Sequence, residues 1–289
     1  MVEGDLLHPE TLAEAVKSCR YAVHVAADYR IWVPDPDRML AANVEGTMAL
    51  MRAALAARVE RVIYCSSVAA LGLTKDGSPA DETTPADEDS IAGIYKKSKY
   101  RAEQAVLAIA RDQRLPVVVV NPSTPLGPRD IKPTPTGRMI ADAAAGRIPA
   151  FVDTGLNVVH VDDVGEGHAL ALERGRIGEK YILGGENMTL AEILRVTAEL
   201  TGRRPPRVRL PHGAVWPVAV VSELIARSFG IEPIVTRDHL RMARKMMFFS
   251  SRKAQEELGY TPRPARDAIA DAIAWFAETA LAPRRARAA

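Results

Sequence analysis

The stretch Gly93 to Glu103, GIYKKSKYRAE, sets a phenol and an ammonium four positions apart, Tyr95 and Lys99, in a run that reads as the first turns of a helix. On an α-helix, residues four apart lie one above the other on one face, so both groups can approach a single site. The chemistry such a pair offers is proton transfer. A free phenol titrates near ~10, too high for a base at neutral pH, and an adjacent positive charge stabilises its phenolate. The same spacing also suits a solvated basic helix start, so the surroundings must decide.

Ser67 ends the run RVIYCSS, Arg61 to Ser67. At the carboxyl end of a strand it either projects toward a ligand crevice or hydrogen-bonds its own backbone. His160, Asp162 and Asp163 crowd a strand-to-helix junction but form no closed ligand set, so no metal is expected. His24 lies in an apolar strand and reads as a core histidine with a satisfied ring. Lys96 and Lys97 read as a solvated face, and Tyr29 and Trp32 either line a substrate pocket or pack a loop.

The elements that must position these residues follow from the apolar pattern. YAVHVAA (Tyr21 to Ala27), RVIYCSS and PVVVVNP (Pro116 to Pro122) are short β-branched or apolar runs of the kind buried on both faces of a parallel sheet. Helical spacing runs from about Pro36 to Ala57 and from about Ile94 to Arg114. This alternation implies an α/β fold with a doubly wound parallel sheet. After Pro122 a Pro-rich segment, NPSTPLGPRDIKPTPTG, leads into mixed short elements and a last amphipathic helix in PARDAIADAIAWFAETA. The expected division is residues 1–122 as a dinucleotide-binding domain and residues 123–289 as a smaller, mainly substrate-binding region with segments returning to the sheet.

Composition removes several classes of function. With 289 residues and 47% hydrophobic content the chain can bury a sizeable core, and 38 basic against 36 acidic residues leave no electrostatic footprint for nucleic acid. Arg284, Arg285 and Arg287 sit in an Ala-rich tail that reads as a solvated end. Cys19 and Cys65 form no disulfide framework, which fits a reducing cytoplasm, and Cys65 reads as a buried inert thiol. The longest nearly apolar stretch, AVWPVAVV from Ala214 to Val221, is far short of the ~20 residues a membrane-spanning helix needs.

Several motifs in order resemble the extended short-chain dehydrogenases/reductases: GDL at Gly4 to Leu6, HVAA at His24 to Ala27, NVEGT at Asn43 to Thr47, YCSSVAALG, YKKSK, NPSTPLGPRD and VVHVDDV at Val158 to Val164. Within that family AADYRIWVPDP, KPTPTG, VDTGLNVVHVDDV and YILGGENMTL resemble the hopanoid-associated sugar epimerase group, and dihydroflavonol-reductase-like enzymes are similar. The resemblance implies a Rossmann-type sheet, NAD or NADP as cofactor, and hydride transfer at a hydroxyl or ketone of a sugar, nucleotide sugar or other carbonyl compound. It implies Tyr95 as acid or base, Lys99 on the phenol and the nicotinamide ribose, Ser67 on the reacting oxygen, and Asn43 as a structural or relay residue. Asp5 and Leu6 would face the adenine, Ala26 and Ala27 leave room for the cofactor, and Pro122 and Ser123 border the nicotinamide. The two long helices resemble those that form the homodimer interface of many relatives.

One element of that pattern is missing. Such proteins hold the pyrophosphate on a loop Gly-x-x-Gly-x-x-Gly after the first strand, and no such sequence occurs ahead of HVAA. MVEGDLLHPE matches the end of the third strand, so the sheet is expected to lack its first strands, leaving Tyr21 to Ala27 as a frayed edge and the chain a weak binder of dinucleotides. NAD-or-NADP preference is then unreadable, and a non-catalytic interaction protein is the alternative of a different class.

Overall fold

The structure, a computed structural model, describes residues 2–30, 33, 35–229, 233 and 236–279. In chain order, α1 (Leu12–Val16) precedes β1 (Tyr21–His24), and α2 (Pro36–Leu40) continues through a π-helical segment, Ala41–Gly46, into α3 (Thr47–Ala56). Then come β2 (Arg61–Cys65), α4 (Ile94–Gln113), β3 (Val117–Pro122), β4 (Thr124–Leu126), α5 (Pro135–Ala144), β5 (Ala150–Val152) and β6 (Gly155–His160). α6 (Val161–Arg174), β7 (Lys180–Leu183), β8 (Glu186–Thr189), α7 (Leu190–Thr201), β9 (Val208–Leu210) and α8 (His212–Phe229) follow. α9 (Arg237–Ala243), β10 (Met246–Met247), α10 (Arg252–Leu258) and α11 (Ala265–Glu278) end the described chain.

Two compact units result. One comprises Met1–Pro122, Glu166–Leu183 and Phe249–Tyr260, and the other comprises Ser123–Gly165, Gly184–Phe248 and Thr261–Ala289. The first is built on a parallel sheet in the order β1-β2-β3-β7, with Val62 opposite Val117 and Val119 opposite Lys180. Its strands are valine-rich because helices cover both faces, which makes the Rossmann-type layering explicit. Met51 and Ala54 from α3, and Ala102, Val106 and Ile109 from α4, close over Val62, Tyr64, Val117 and Val119.

Three expectations need correction in this unit. The strand read over Tyr21 to Ala27 stops at His24; as expected it is an edge, pairing among the described residues with β2 alone, and Tyr21, Val23 and Val25 are 40%, 51% and 58% exposed. Gly4 to Leu6 is not the end of a sheet strand: Asp5 forms an isolated bridge with His8, and the chain turns there. The helix read over Pro36 to Ala57 is interrupted by the π segment, which sequence periodicity does not reveal.

The second unit holds β10-β6-β4 with β8 antiparallel on β6, and a β5-β9 pair. Its core joins Ile140 of α5, Ile193 and Val196 of α7, and Ala268, Ile269, Ala272 and Phe276 of α11. A capping box between Thr189 and Glu192 starts α7, and Gly202 in the left-handed region, φ 65°, ends it.

Candidate active site

α4 begins after Gly93, whose φ of 86° turns the chain sharply into the helix, a conformation few other residues adopt. Tyr95 therefore falls in the first turn and Lys99 one turn later, on the same face. β2 delivers Ser67 to meet them. Its backbone is extended, and its hydroxyl accepts a hydrogen bond from the Ala69 N–H at 3.1 Å, capping the short 3₁₀ turn Val68–Ala70. The same side chain lies close enough to the Tyr95 hydroxyl to favour its phenolate. The local cap and the contact with Tyr95 thus coexist.

Lys99 is buried, 4% exposed, while Lys96 and Lys97 are half-buried rather than a solvated face. The Lys99 Nζ donates to the Cys65 carbonyl at 2.7 Å and lies 5.1 Å from the centre of the Tyr64 ring. Burial pushes the Tyr95 phenol up to about 12, the Ser67 side chain opposing it and the Cys65 thiol adding to it. This departs from the expectation that Lys99 lowers it. Lys99 is held on a backbone carbonyl, and its own affinity for a proton is lowered by burial, with Cys65 and Glu103 acting in the opposite direction. Cys65 is half-buried, and burial raises its thiol, consistent with an unreactive group.

The NVEGT run resolves into three contacts. Buried Asn43 accepts from the Asp28 N–H at 2.7 Å and donates to the Asp28 carbonyl and the Ser98 hydroxyl at 2.8 and 2.9 Å. Ser98 in turn donates to the Tyr95 carbonyl at 2.7 Å, so Asn43 ties the loop after β1 to the first turn of α4. At Gly46 a Cβ would lie 2.4 Å from the Leu6 carbonyl oxygen, so only glycine lets the Asp5–Leu6 turn rest on this helix. Thr47 meets the His24 Nε2 at 2.9 Å. The ring is thereby satisfied, and burial, then the Lys99 charge, lowers its pKa to about 4. Placing Asn43 and Gly46 on their partners coincides with the π segment, the usual setting of such a bulge.

Sequence reading missed a second polar layer behind Ser67. Glu103, fully buried and a further turn along α4, accepts from Asn121 Nδ2 at 2.6 Å and faces Lys180 Nζ of β7 at 3.6 Å. Asn121 also donates to the Ser67 carbonyl at 3.0 Å, which fixes the strand end carrying that hydroxyl. A signal existed: Tyr95, Lys99 and Glu103 repeat at four-residue spacing, and a carboxylate on a buried helix face demands a partner. Pro122 ends β3 opposite Leu183, and Ser123 opens the second unit with its hydroxyl buried.

Asp5, Leu6, Ala26 and Ala27 come together on an open cleft of about 500 Å³, with Asp28, Arg30 and Arg38 at its polar side. The alanines leave room at its wall, and Asp5 is shaped by accepting the Leu7 N–H at 2.9 Å. Tyr29 is 45% exposed, and Trp32 lies outside the described residues. His160 and Asp163 act as ties in the second unit: the His160 Nε2 lies 3.0 Å from Asp271, and Asp163 accepts from the Arg263 backbone and guanidinium, each at 2.8 Å.

The sequence pattern of the NAD dependent epimerase/dehydratase family matches residues 1–184. The chain is 40% identical over 279 residues to a putative dihydroflavonol 4-reductase of Synechocystis sp., spanning 95% of this chain and 81% of that protein. The crystal structure of gox2253 superposes with a TM-score of 0.86 at 64% identity, over 97% of this chain and 85% of the other. That of PA4631, a nucleoside-diphosphate-sugar epimerase from Pseudomonas aeruginosa, gives 0.75 at 28% identity, over 97% and 83%. With its parallel sheet, its ordered motifs and these likenesses together, the chain belongs to the NAD dependent epimerase/dehydratase family.

Proposed function

We propose that the chain is an NAD- or NADP-dependent oxidoreductase acting at a hydroxyl or ketone of a small molecule, with Tyr95, Lys99 and Ser67 as its catalytic residues. The observation that supports this is Ser67, just after β2, near the Tyr95 hydroxyl, with Lys99 one turn further along α4. The residues suit a dinucleotide at its two ends: Asp5, Leu6, Ala26 and Ala27 line a cleft able to take the adenine side, and Lys99 with Tyr95 would hold the nicotinamide ribose. Pro122 and Ser123 would border the nicotinamide. When bound, such a cofactor gives or takes a hydride at the substrate carbon.

The protein's own part is the proton. A phenol pushed up to about 12 stays protonated at neutral pH, so Tyr95 is set to donate to the oxygen of a ketone as that oxygen gains charge. The Ser67 hydroxyl favours the phenolate left behind, while the Lys99 ammonium, held on the Cys65 carbonyl, would serve the nicotinamide ribose. Asn43, acting through Ser98 and the Tyr95 carbonyl, holds the turn that carries the phenol. Reductase chemistry is favoured by this protonated resting state and by the 40% identical relative, and sugar epimerase chemistry by the likeness to PA4631.

Purified chain is incubated with NADH or NADPH and a panel of ketones, aldehydes and nucleotide sugars. A reductase consumes one cofactor per product, whereas an epimerase turns over sugar with no net consumption. Cofactor-independent conversion, or none of the panel converted when a glycine-loop unit is fused ahead of Met1, would contradict the proposal. A homodimer through the helices α3 and α4 is part of this reading and is checked by sedimentation velocity.

A further inference from the structure

Glu103 is a fully buried carboxylate of α4, one turn beyond Lys99 on the same face of the helix. Lys99 is itself buried, and the hydrogen bond it donates ends on a neutral acceptor, the Cys65 carbonyl at 2.7 Å. A carbonyl alone does not replace the water lost by an ammonium. A buried lysine therefore either gains a carboxylate as neighbour or gives up its proton.

The surroundings of Lys99 among the described residues narrow the choice to one group. Tyr95 and Glu103 flank it on α4, Tyr64 and Cys65 face it from β2, and His24 faces it from β1. All but Glu103 are uncharged at neutral pH. Burial keeps the two phenols and the Cys65 thiol protonated, and burial, then the Lys99 charge, lowers His24 to about 4 and leaves its imidazole neutral. On Lys99 itself burial disfavours the proton, with Cys65 and then Glu103 acting the other way. Since Cys65 stays a thiol, the opposing charge rests with Glu103. The carboxylate is also fixed in place. Asn121 Nδ2 donates to one of its oxygens at 2.6 Å and to the Ser67 carbonyl at 3.0 Å, while Lys180 Nζ of β7 stands 3.6 Å from the other oxygen. α4 thus holds the end of β2 at two carbonyls, Cys65 through Lys99 and Ser67 through Glu103 and Asn121.

We propose that Glu103 is a positioning residue of the site, the counter-charge that keeps the buried Lys99 ammonium charged on the Cys65 carbonyl. Its use to the reaction rests on the function proposed above, in which Lys99 holds the nicotinamide ribose: a neutral amine offers the ribose fewer donors and no charge. Lys180 is the competing partner. It is closer to the surface than Lys99, with 23% of its side chain exposed, so water already serves part of its charge and it depends less on the carboxylate.

The test follows each lysine Cε chemical shift by NMR against pH in the 289-residue chain, with the Lys99 and Lys180 signals assigned by their loss in Lys99→Met and Lys180→Met. Glu103→Gln keeps an acceptor for Asn121 and removes the charge. It should bring the Lys99 midpoint down by about one pH unit and leave that of Lys97 at the parent's value. A Lys180 midpoint that falls while Lys99 stays would assign the carboxylate to Lys180 alone and overturn the proposal. Should Glu103→Gln not fold, Glu103→Asp draws the carboxylate back by one methylene and should lower the Lys99 midpoint by a smaller amount, and an unmoved midpoint there would overturn the proposal equally. The midpoint is read without cofactor or turnover. Its failure to move therefore removes Glu103 as counter-charge and leaves proton transfer by Tyr95 to the separate test of Tyr95→Phe.

Discussion

At Tyr95 two influences oppose each other: burial, which favours the phenol, and the Ser67 side chain, which favours the phenolate. Burial prevails and holds the group at about 12. Ser67→Ala should therefore raise the Tyr95 pKa further, read as the difference in phenolate absorbance between each protein and its Tyr95→Phe counterpart. A Tyr95 that titrates near ~10 would show that the hydroxyl is not buried as described. His24 gives a second reading at this scale. Its folded pKa of about 4 lies below the ordinary value of 6.5, so between these values the unfolded chain binds a proton that the folded chain refuses. That contribution to stability is intact above pH 6.5 and is lost as the pH falls toward 4, amounting to about 2 kcal/mol between pH 7.5 and 5. Urea unfolding at the two pH values should show this loss in the parent and a smaller one in His24→Gln, and an equal loss in both would remove His24 from the account.

At the scale of elements, the π segment between α2 and α3 turns two motif residues onto their partners, Asn43 onto Ser98 and Asp28, Gly46 onto Leu6. Gly46→Ala would drive a methyl into the Leu6 backbone and should cost ~1–3 kcal/mol in chemical unfolding. Gly165→Ala, in α6 with nothing within 4 Å of the added carbon, should be neutral or stabilise by up to ~1 kcal/mol. Equal effects at the two sites would mean that the Asp5–Leu6 turn does not rest on the helix. The contrast also marks what was legible in the sequence. The placement of Tyr95 and Lys99 on one helix face, and of Ser67 after a strand, was legible because both are local facts, whereas the roles proposed for them come from the resemblance. The π segment was not legible: it coincides with contacts to Leu6, Asp28 and Ser98, far apart in sequence. Glu103 and Asn121 were missed for the same reason: each looks unremarkable until β3 and α4 are packed together.

Across the whole molecule, the parallel strands were evident from the runs of apolar residues, and the edge position of the first of them was expected from the resemblance. β1 ends the sheet with Val23 about half exposed and no partner strand on its outer side among the described residues. The residues proposed for the two ends of a dinucleotide, Asp5 and Leu6 at one and Tyr95 with Lys99 at the other, belong to this same unit. Turnover is followed through nicotinamide absorbance, in the 289-residue chain and with a glycine-loop strand–helix unit fused ahead of Met1. Tyr95→Phe should then lower kcat by about 10²- to 10⁴-fold with the fold retained, Lys99→Met should weaken cofactor binding as well as rate, and Lys96→Met should stay near the parent. Tyr95→Phe working at a rate close to that of the parent would contradict the assignment of proton transfer to this phenol.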